Sequence, residues 1–289
     1  MLAQLVNVFK LRIGFLIALT AVAGYAVTPG ITLPIWQVAV LGLLVLMSSA
    51  SAGAFNQYVE RDLDALMHRT RQRPFVTGAF SDNRLWLWGV SAMLLVSVTL
   101  AGWLFNLLTA FYIFMGAFVY AIIYTVWLKR RSVFNIVIGG LAGSFAVLGG
   151  AAAADPGLSP AAILLAIILF LWTPPHFWSL AIVLHRDYAN AKVPMLPVIV
   201  GDSAASRIIL ANTIILVAAS IIPFFYGLGW IYLICAAAGG GYFIFRNIEL
   251  VRQPTKEKAR VNFFASIIQL SLVLVGVLID TWVASWSGV

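Results

Sequence analysis

The residues with the greatest chemical content stand together where a long apolar run ends. The segment NQYVERDLDALMHRTRQRP, residues 56–74, contains three acids and four arginines. Asn56, Glu60 and Asp64 recur every four residues, so a helix continuing this far carries one amide and two carboxylates in a single stripe, with Asp62 turned away. Such oxygens suit a hard divalent cation such as Mg²⁺, which retains water and takes the rest of its shell from substrate phosphates. The acids could instead pair with nearby arginines or simply be solvated on a loop. Asn56 argues against the plain loop, because an unpaired amide at the edge of an apolar run is costly. Arg69 and Arg73 follow, also four apart, and a guanidinium fork binds two phosphate oxygens at once. Acids for a metal followed by arginines for phosphate make a coherent diphosphate site, while Arg71 and Arg84 read better as contacts to anionic lipid head groups.

Three further segments can contribute. In YTVWLKRRSVFN, Tyr124, Lys129, Arg130 and Asn135 fall near the same surface, where the cations would neutralise a departing diphosphate; a bias of basic residues toward one membrane face explains them equally well. In HFWSLAIVLHRDYANAKVPMLPVIVGD, Asp187 offers one more carboxylate, balanced against an ion pair with Arg186 or Lys192. Asp202 reads as a helix N-cap. WTPPHFW places His176 after two prolines that disturb helical hydrogen bonding. Its imidazole either serves a ligand or satisfies a carbonyl freed by Pro174 or Pro175. Trp172, Phe177 and Trp178 would line a flat aromatic cavity or simply pack.

The elements that must position these groups are apolar helices. Of 289 residues 62% are hydrophobic and 10% charged, too few polar groups to clothe a soluble globule, so lipid is the main solvent. Apolar runs give nine expected spans at 13–30, 35–58, 85–103, 107–128, 133–153, 159–184, 208–226, 230–247 and 263–284. The fold class is therefore an all-α membrane protein, a single polytopic domain over 1–289, with the first run a retained helix rather than a signal peptide. The net charge of +8 points to membrane sidedness or an anionic substrate before nucleic acid. All 18 Lys and Arg residues fall at the N-terminus or on alternate connections, and the opposite loops carry none. This puts the N-terminus and the long polar connections 59–84 and 185–207 on the cytoplasmic side, with the C-terminus opposite. Those connections stand four helices apart, which allows two four-helix units plus a ninth helix. Cys235, alone in an apolar run, has no partner for a disulfide.

Asn56, Glu60 and Asp64 followed by MHRTRQRP resemble the signature of the UbiA-type intramembrane prenyltransferases. MHRTRQRP, TPPHFW and DYANAKVPMLPV, in that order, are similar to the branch of the family that farnesylates heme b, and the similarity covers essentially the whole chain. The resemblance implies nine helices around a central cavity opening to the cytoplasmic side of a bacterial-type inner membrane. It also implies Mg²⁺ bound by Asn56, Glu60, Asp64 and Asp187, with farnesyl diphosphate and heme b as substrates. Diphosphate would leave C1 of the farnesyl group, a heme vinyl group would attack, and water would then add. His176 becomes the candidate porphyrin contact. Glu60 departs from the Asp common in the family, and Ala191 stands where the second motif has its second acid, which halves that pair. The lipid bilayer is one partner; delivery of product to a downstream heme-modifying or oxidase-assembly protein stays open. Two alternatives remain, a relative acting on an aromatic quinone precursor, which shares the diphosphate site, and a transporter or heme carrier, which Pro-broken helices also suit.

Overall fold

Long apolar stretches in lipid must satisfy their backbone groups internally, and helices do so. The structure, a computed structural model, describes residues 1–287; the last two residues of the expected domain, Gly288 and Val289, lie outside the described residues. Helices α1 (Leu2–Val8) and α2 (Leu11–Ala26) are followed by α3 (Ile35–Val59). The first polar connection holds the short α4 (Arg61–Leu66) and α5 (Pro74–Thr77). Then come α6 (Leu85–Leu104) and α7 (Leu107–Phe118), which runs on as a π-helical segment, Val119–Leu128. α8 (Asn135–Gly139), α9 (Leu141–Ala154) and α10 (Pro160–Val183) lead to the second polar connection with α11 (His185–Asn190) and α12 (Leu196–Val200). α13 (Asp202–Ile221) ends in a 3₁₀ turn, Ile222–Tyr226, before α14 (Trp230–Arg252) and α15 (Lys256–Ser287). Among the described residues there is no strand.

Among the described residues, eight helical stretches are long and apolar enough to cross a membrane, and α1 with α2 makes a ninth if that pair, bent by 51°, is one span. The polar connections α4–α5 and α11–α12 leave the bundle at the same end, the basic face. At the other end the reversals are tight: Asn106 caps α7 through Thr109 N at 2.8 Å, and Ser159 caps α10 through Ala162 N at 3.1 Å. α15 packs on α14 and α10 and reaches α2, which closes the ring of helices. α2 and α9 touch backbone to backbone: Gly24 lies on the Val147 carbonyl and Gly150 on that of Ala21, leaving no room for a Cβ at either position.

The departures from expectation are local. The first expected span, 13–30, is observed as Leu11–Ala26, because Pro29 disfavours helical geometry at Thr28. Asp202 is the first residue of α13 rather than its cap: Gly201 holds that place with φ 78° and ψ 157°, a conformation suited to glycine, and the Asp202 carboxylate pairs with His185 Nδ1 at 2.7 Å. α15 starts at Lys256 rather than 263, since its charged first turns extend beyond the apolar run. The prolines of α10 do not end it. Pro175 cannot donate to Leu171 O, and Asn212 Nδ2 of α13 donates to that carbonyl instead, at 2.6 Å. His176 is therefore not the group that satisfies the Leu171 carbonyl.

Candidate active site

α3 carries Asn56 down to the basic face, and the helix then breaks. Glu60 (φ −91°, ψ 9°) separates α3 from α4, although Glu60 N still donates to Asn56 O and Asp64 N to Glu60 O, at 3.0 and 2.8 Å. The expected continuous helix is thus kinked, yet the stripe survives. Asn56, Glu60 and Asp64 are 2%, 1% and 2% exposed. Buried carboxylates need partners, and each has a cation. Arg73 Nη1 donates to both oxygens of Asp64 at 2.9 and 2.7 Å. Lys129 Nζ pairs with Glu60 Oε2, whereas Glu60 Oε1 is buried with no hydrogen-bond partner among the described residues.

The third cation was not expected at this site. Lys10 sits at the bend between α1 and α2 with φ 49°, and its Nζ donates to Asn56 Oδ1 at 2.6 Å and to Tyr120 Oη at 2.8 Å. Asn56 Nδ2 donates to Thr125 Oγ1 at 3.0 Å, and Thr125 donates in turn to Tyr120 O at 2.8 Å. Tyr120, Tyr124 and Thr125 all lie in the π-helical segment, whose wider register stacks the two tyrosine rings 5.5 Å apart. A basic pair, Lys10 and Arg12, opening an apolar run was the one signal available for Lys10. Thr125 lies within the YTVWLKRRSVFN segment, but neither it nor Tyr120 was marked by its own type or spacing.

The remaining expected residues divide. Tyr124 joins the cluster, with Lys129 Nζ 5.6 Å from its ring centre. Asp187 comes from the second polar connection: its Oδ2 accepts from Arg69 N at 3.3 Å, so the two connections meet, and among the described residues it forms no ion pair with Arg186 or Lys192. Arg69 itself is exposed. Arg130 faces away from the buried acids and forks onto the exposed Asp62 with two bonds of 2.7 Å. That hydrogen-bonded guanidinium holds the Asp62 carboxyl below the usual carboxylate range. Asn135 is buried and donates to Ser132 O at 2.6 Å. His176 lies apart, between α10 and α15, with Nδ1 2.7 Å from Ser266 Oγ.

Three cations, Lys10, Arg73 and Lys129, therefore surround two buried carboxylates and an amide. The balance favours an anion, and the oxygens favour a hard cation travelling with it. Among the described residues no three His, Cys, Asp or Glu side chains converge as a ready-made metal cage, so a cation here would draw on substrate oxygens as well.

The model of the UbiA prenyltransferase family matches residues 17–272. The chain is 54% identical over 283 residues to protoheme IX farnesyltransferase 2 of Paramagnetospirillum magneticum, covering 98% of each. Among solved structures it is similar to a digeranylgeranylglyceryl phosphate synthase, with a TM-score of 0.79 and 18% identity over 97% of this chain and 98% of that one. It is also similar to a UbiA homolog from Archaeoglobus fulgidus bound to DMAPP and Mg²⁺, with a TM-score of 0.73 and 15% identity over 93% and 99%. At such identities these two likenesses speak to the fold.

Proposed function

The chain belongs to the UbiA prenyltransferase family, and from that premise we propose how its buried cluster performs the reaction. It is a membrane-embedded transferase that moves the farnesyl group of farnesyl diphosphate to a vinyl group of heme b, giving heme O and releasing diphosphate. The observation that carries the donor half is the set of three cations around Asn56, Glu60 and Asp64. Breaking the bond between farnesyl C1 and diphosphate builds negative charge on the leaving oxygen and cationic character on the allylic carbon. Fixed cations in a place of low dielectric stabilise that separation far better than water does. Lys129, Arg73 and Lys10 supply them, and Tyr124 offers its ring beside Lys129. Arg69, and Arg130 at the rim, meet the diphosphate on its way in.

The donor set fits Mg²⁺. Glu60 Oε1 is a buried carboxylate oxygen without a partner among the described residues, and Asn56 and Asp64 add hard oxygens beside it. These three would hold the ion, with Asp187 approaching from the other connection. When bound it neutralises diphosphate oxygens. The apolar helices above the cluster receive the farnesyl tail and keep bulk water from the allylic cation. The basic face is the cytoplasmic one on this reading, and a downstream heme-modifying or oxidase-assembly protein is the partner suited to take an apolar porphyrin product.

Incubating purified protein with Mg²⁺, farnesyl diphosphate, heme b and an aromatic quinone precursor, followed by mass analysis, tests the assignment. Farnesylated heme is the expected product. Prenylated aromatic acid with heme unchanged would reject the acceptor.

A further inference from the structure

The seam between α10, α14 and α15 buries a second set of polar groups, and the diphosphate chemistry uses none of them. Ser179 on α10, Asn247 on α14, and Asn262, Ser266 and Gln269 on α15 are all fully buried. α14 ends and α15 begins at the basic face, so Asn247 and Asn262 lie near it, and Gln269, seven residues further along α15, lies roughly 10 Å deeper. Asn262 Nδ2 donates to Ser179 Oγ at 2.9 Å while its Oδ1 has no partner, and Gln269 leaves both Oε1 and Nε2 unpartnered among the described residues. The Gln269 backbone packs on Gly239, where a Cβ would come within 3.1 Å of the Gln269 Cα. Unpaired amides inside a lipid-surrounded bundle are costly, and ordered water is the usual partner of such groups.

His176 stands midway along this seam. The Ser266 hydroxyl donates to Phe263 O at 2.6 Å, so its oxygen must receive the proton of His176 Nδ1, 2.7 Å away. That fixes the tautomer and leaves Nε2 as an acceptor. Trp172 and Phe263 clamp the two faces of the imidazole, with ring centres 4.1 and 4.4 Å away. Phe177, 4.9 Å from His176, belongs to the same apolar cluster as Leu63, Met67 and Tyr124 beside the donor site.

Attack of a heme vinyl group on farnesyl C1 forms a carbon–carbon bond, and it leaves a cation on the carbon next to the porphyrin ring. That cation is discharged in one of two ways: water adds and gives up a proton, or the carbon skeleton loses a proton and forms an alkene. A site from which the apolar helices exclude bulk water has to be supplied with water for the first. We propose that the α10–α14–α15 seam holds ordered water on the orphaned amides of Asn262 and Gln269, on either side of His176, whose Nε2 takes the proton of the water that discharges the cation. The water oxygen bonds to carbon, one O–H bond breaks, and the hydroxyl stays on the product. This inference rests on the acceptor being heme b.

The test is the ratio of two products, hydroxylated farnesyl heme and the alkene lighter by one water. Gln269→Met keeps the side-chain volume and removes both amide atoms; His176→Phe keeps the stacked ring and removes the base. Each is expected to raise the alkene fraction relative to hydroxylated product by roughly tenfold or more. Gln269→Asn, which still offers an amide to water, stays within about twofold of the wild-type ratio. A wild-type ratio in either of the first two variants, or equal behaviour of Gln269→Met and Gln269→Asn, would overturn the proposal. No farnesylated heme from wild-type protein would instead remove the premise, and the inference with it.

Discussion

Lys129 reaches a Glu60 that is fully buried while its own side chain is 13% exposed, so removing Lys129 alone strands a buried carboxylate. Lys129→Met is expected to destabilise the fold by about 3–5 kcal/mol, seen as a lower thermal midpoint in detergent. Adding Glu60→Gln recovers most of that stability and none of the turnover. Arg73 and Arg130 separate in the same way. Arg73→Ala should slow diphosphate release by about a hundredfold or more, since it removes a cation from the buried cluster. Arg130→Ala changes it by less than about fivefold, because its partner Asp62 is exposed. The depressed Asp62 pKa contributes stability above the unfolded carboxylate range, lost as pH falls through the folded value, so it does not touch turnover near neutrality. The spacing of Asn56, Glu60 and Asp64 was legible in the sequence because one helix stripe brings them together. Lys10 and Thr125 were not, since they meet Asn56 from 46 and 69 residues away. Lys129 and Arg130 looked alike; a rotation of about 100° between neighbours on a helical turn sends one inward and the other out.

The helices were readable from hydropathy, and their interruptions were not. The bend at Lys10, the kink at Glu60, the junction at Gly140 and the π-helical register of Val119–Leu128 leave the apolar pattern intact, so no window of composition reveals them. Yet these breaks aim the site: the first turns Lys10 toward Asn56, and the π segment places Tyr120 and Thr125 on the same amide. The proline pair does disturb the hydrogen bonding of α10, as expected, but the remedy was not legible: α13 supplies the donor that α10 lacks. Asn212→Leu should therefore strand the Leu171 carbonyl and lower stability by about 1–3 kcal/mol, followed by thermal unfolding in detergent. In a Pro175→Ala background, where a backbone N–H is restored, the same substitution should cost markedly less.

At the scale of the molecule, one end of the bundle gathers the long polar connections and the basic residues, and the other has only short reversals, two of them capped by Asn106 and Ser159. This asymmetry was visible in the sequence from the charges alone. In a Cys235→Ala background, Ser81→Cys is expected to react with an impermeant thiol reagent from the cytoplasmic side and Gly157→Cys from the opposite side. The central claim is that the basic end holds diphosphate through the Asn56, Glu60 and Asp64 cluster while lipid-facing helices shield the prenyl group. Its most direct test is Mg²⁺-dependent release of diphosphate from farnesyl diphosphate in the presence of heme b, comparing wild-type protein with Asp64→Asn. The variant should assemble normally and lose release by about a hundredfold or more; release at the wild-type rate from folded Asp64→Asn would contradict the account.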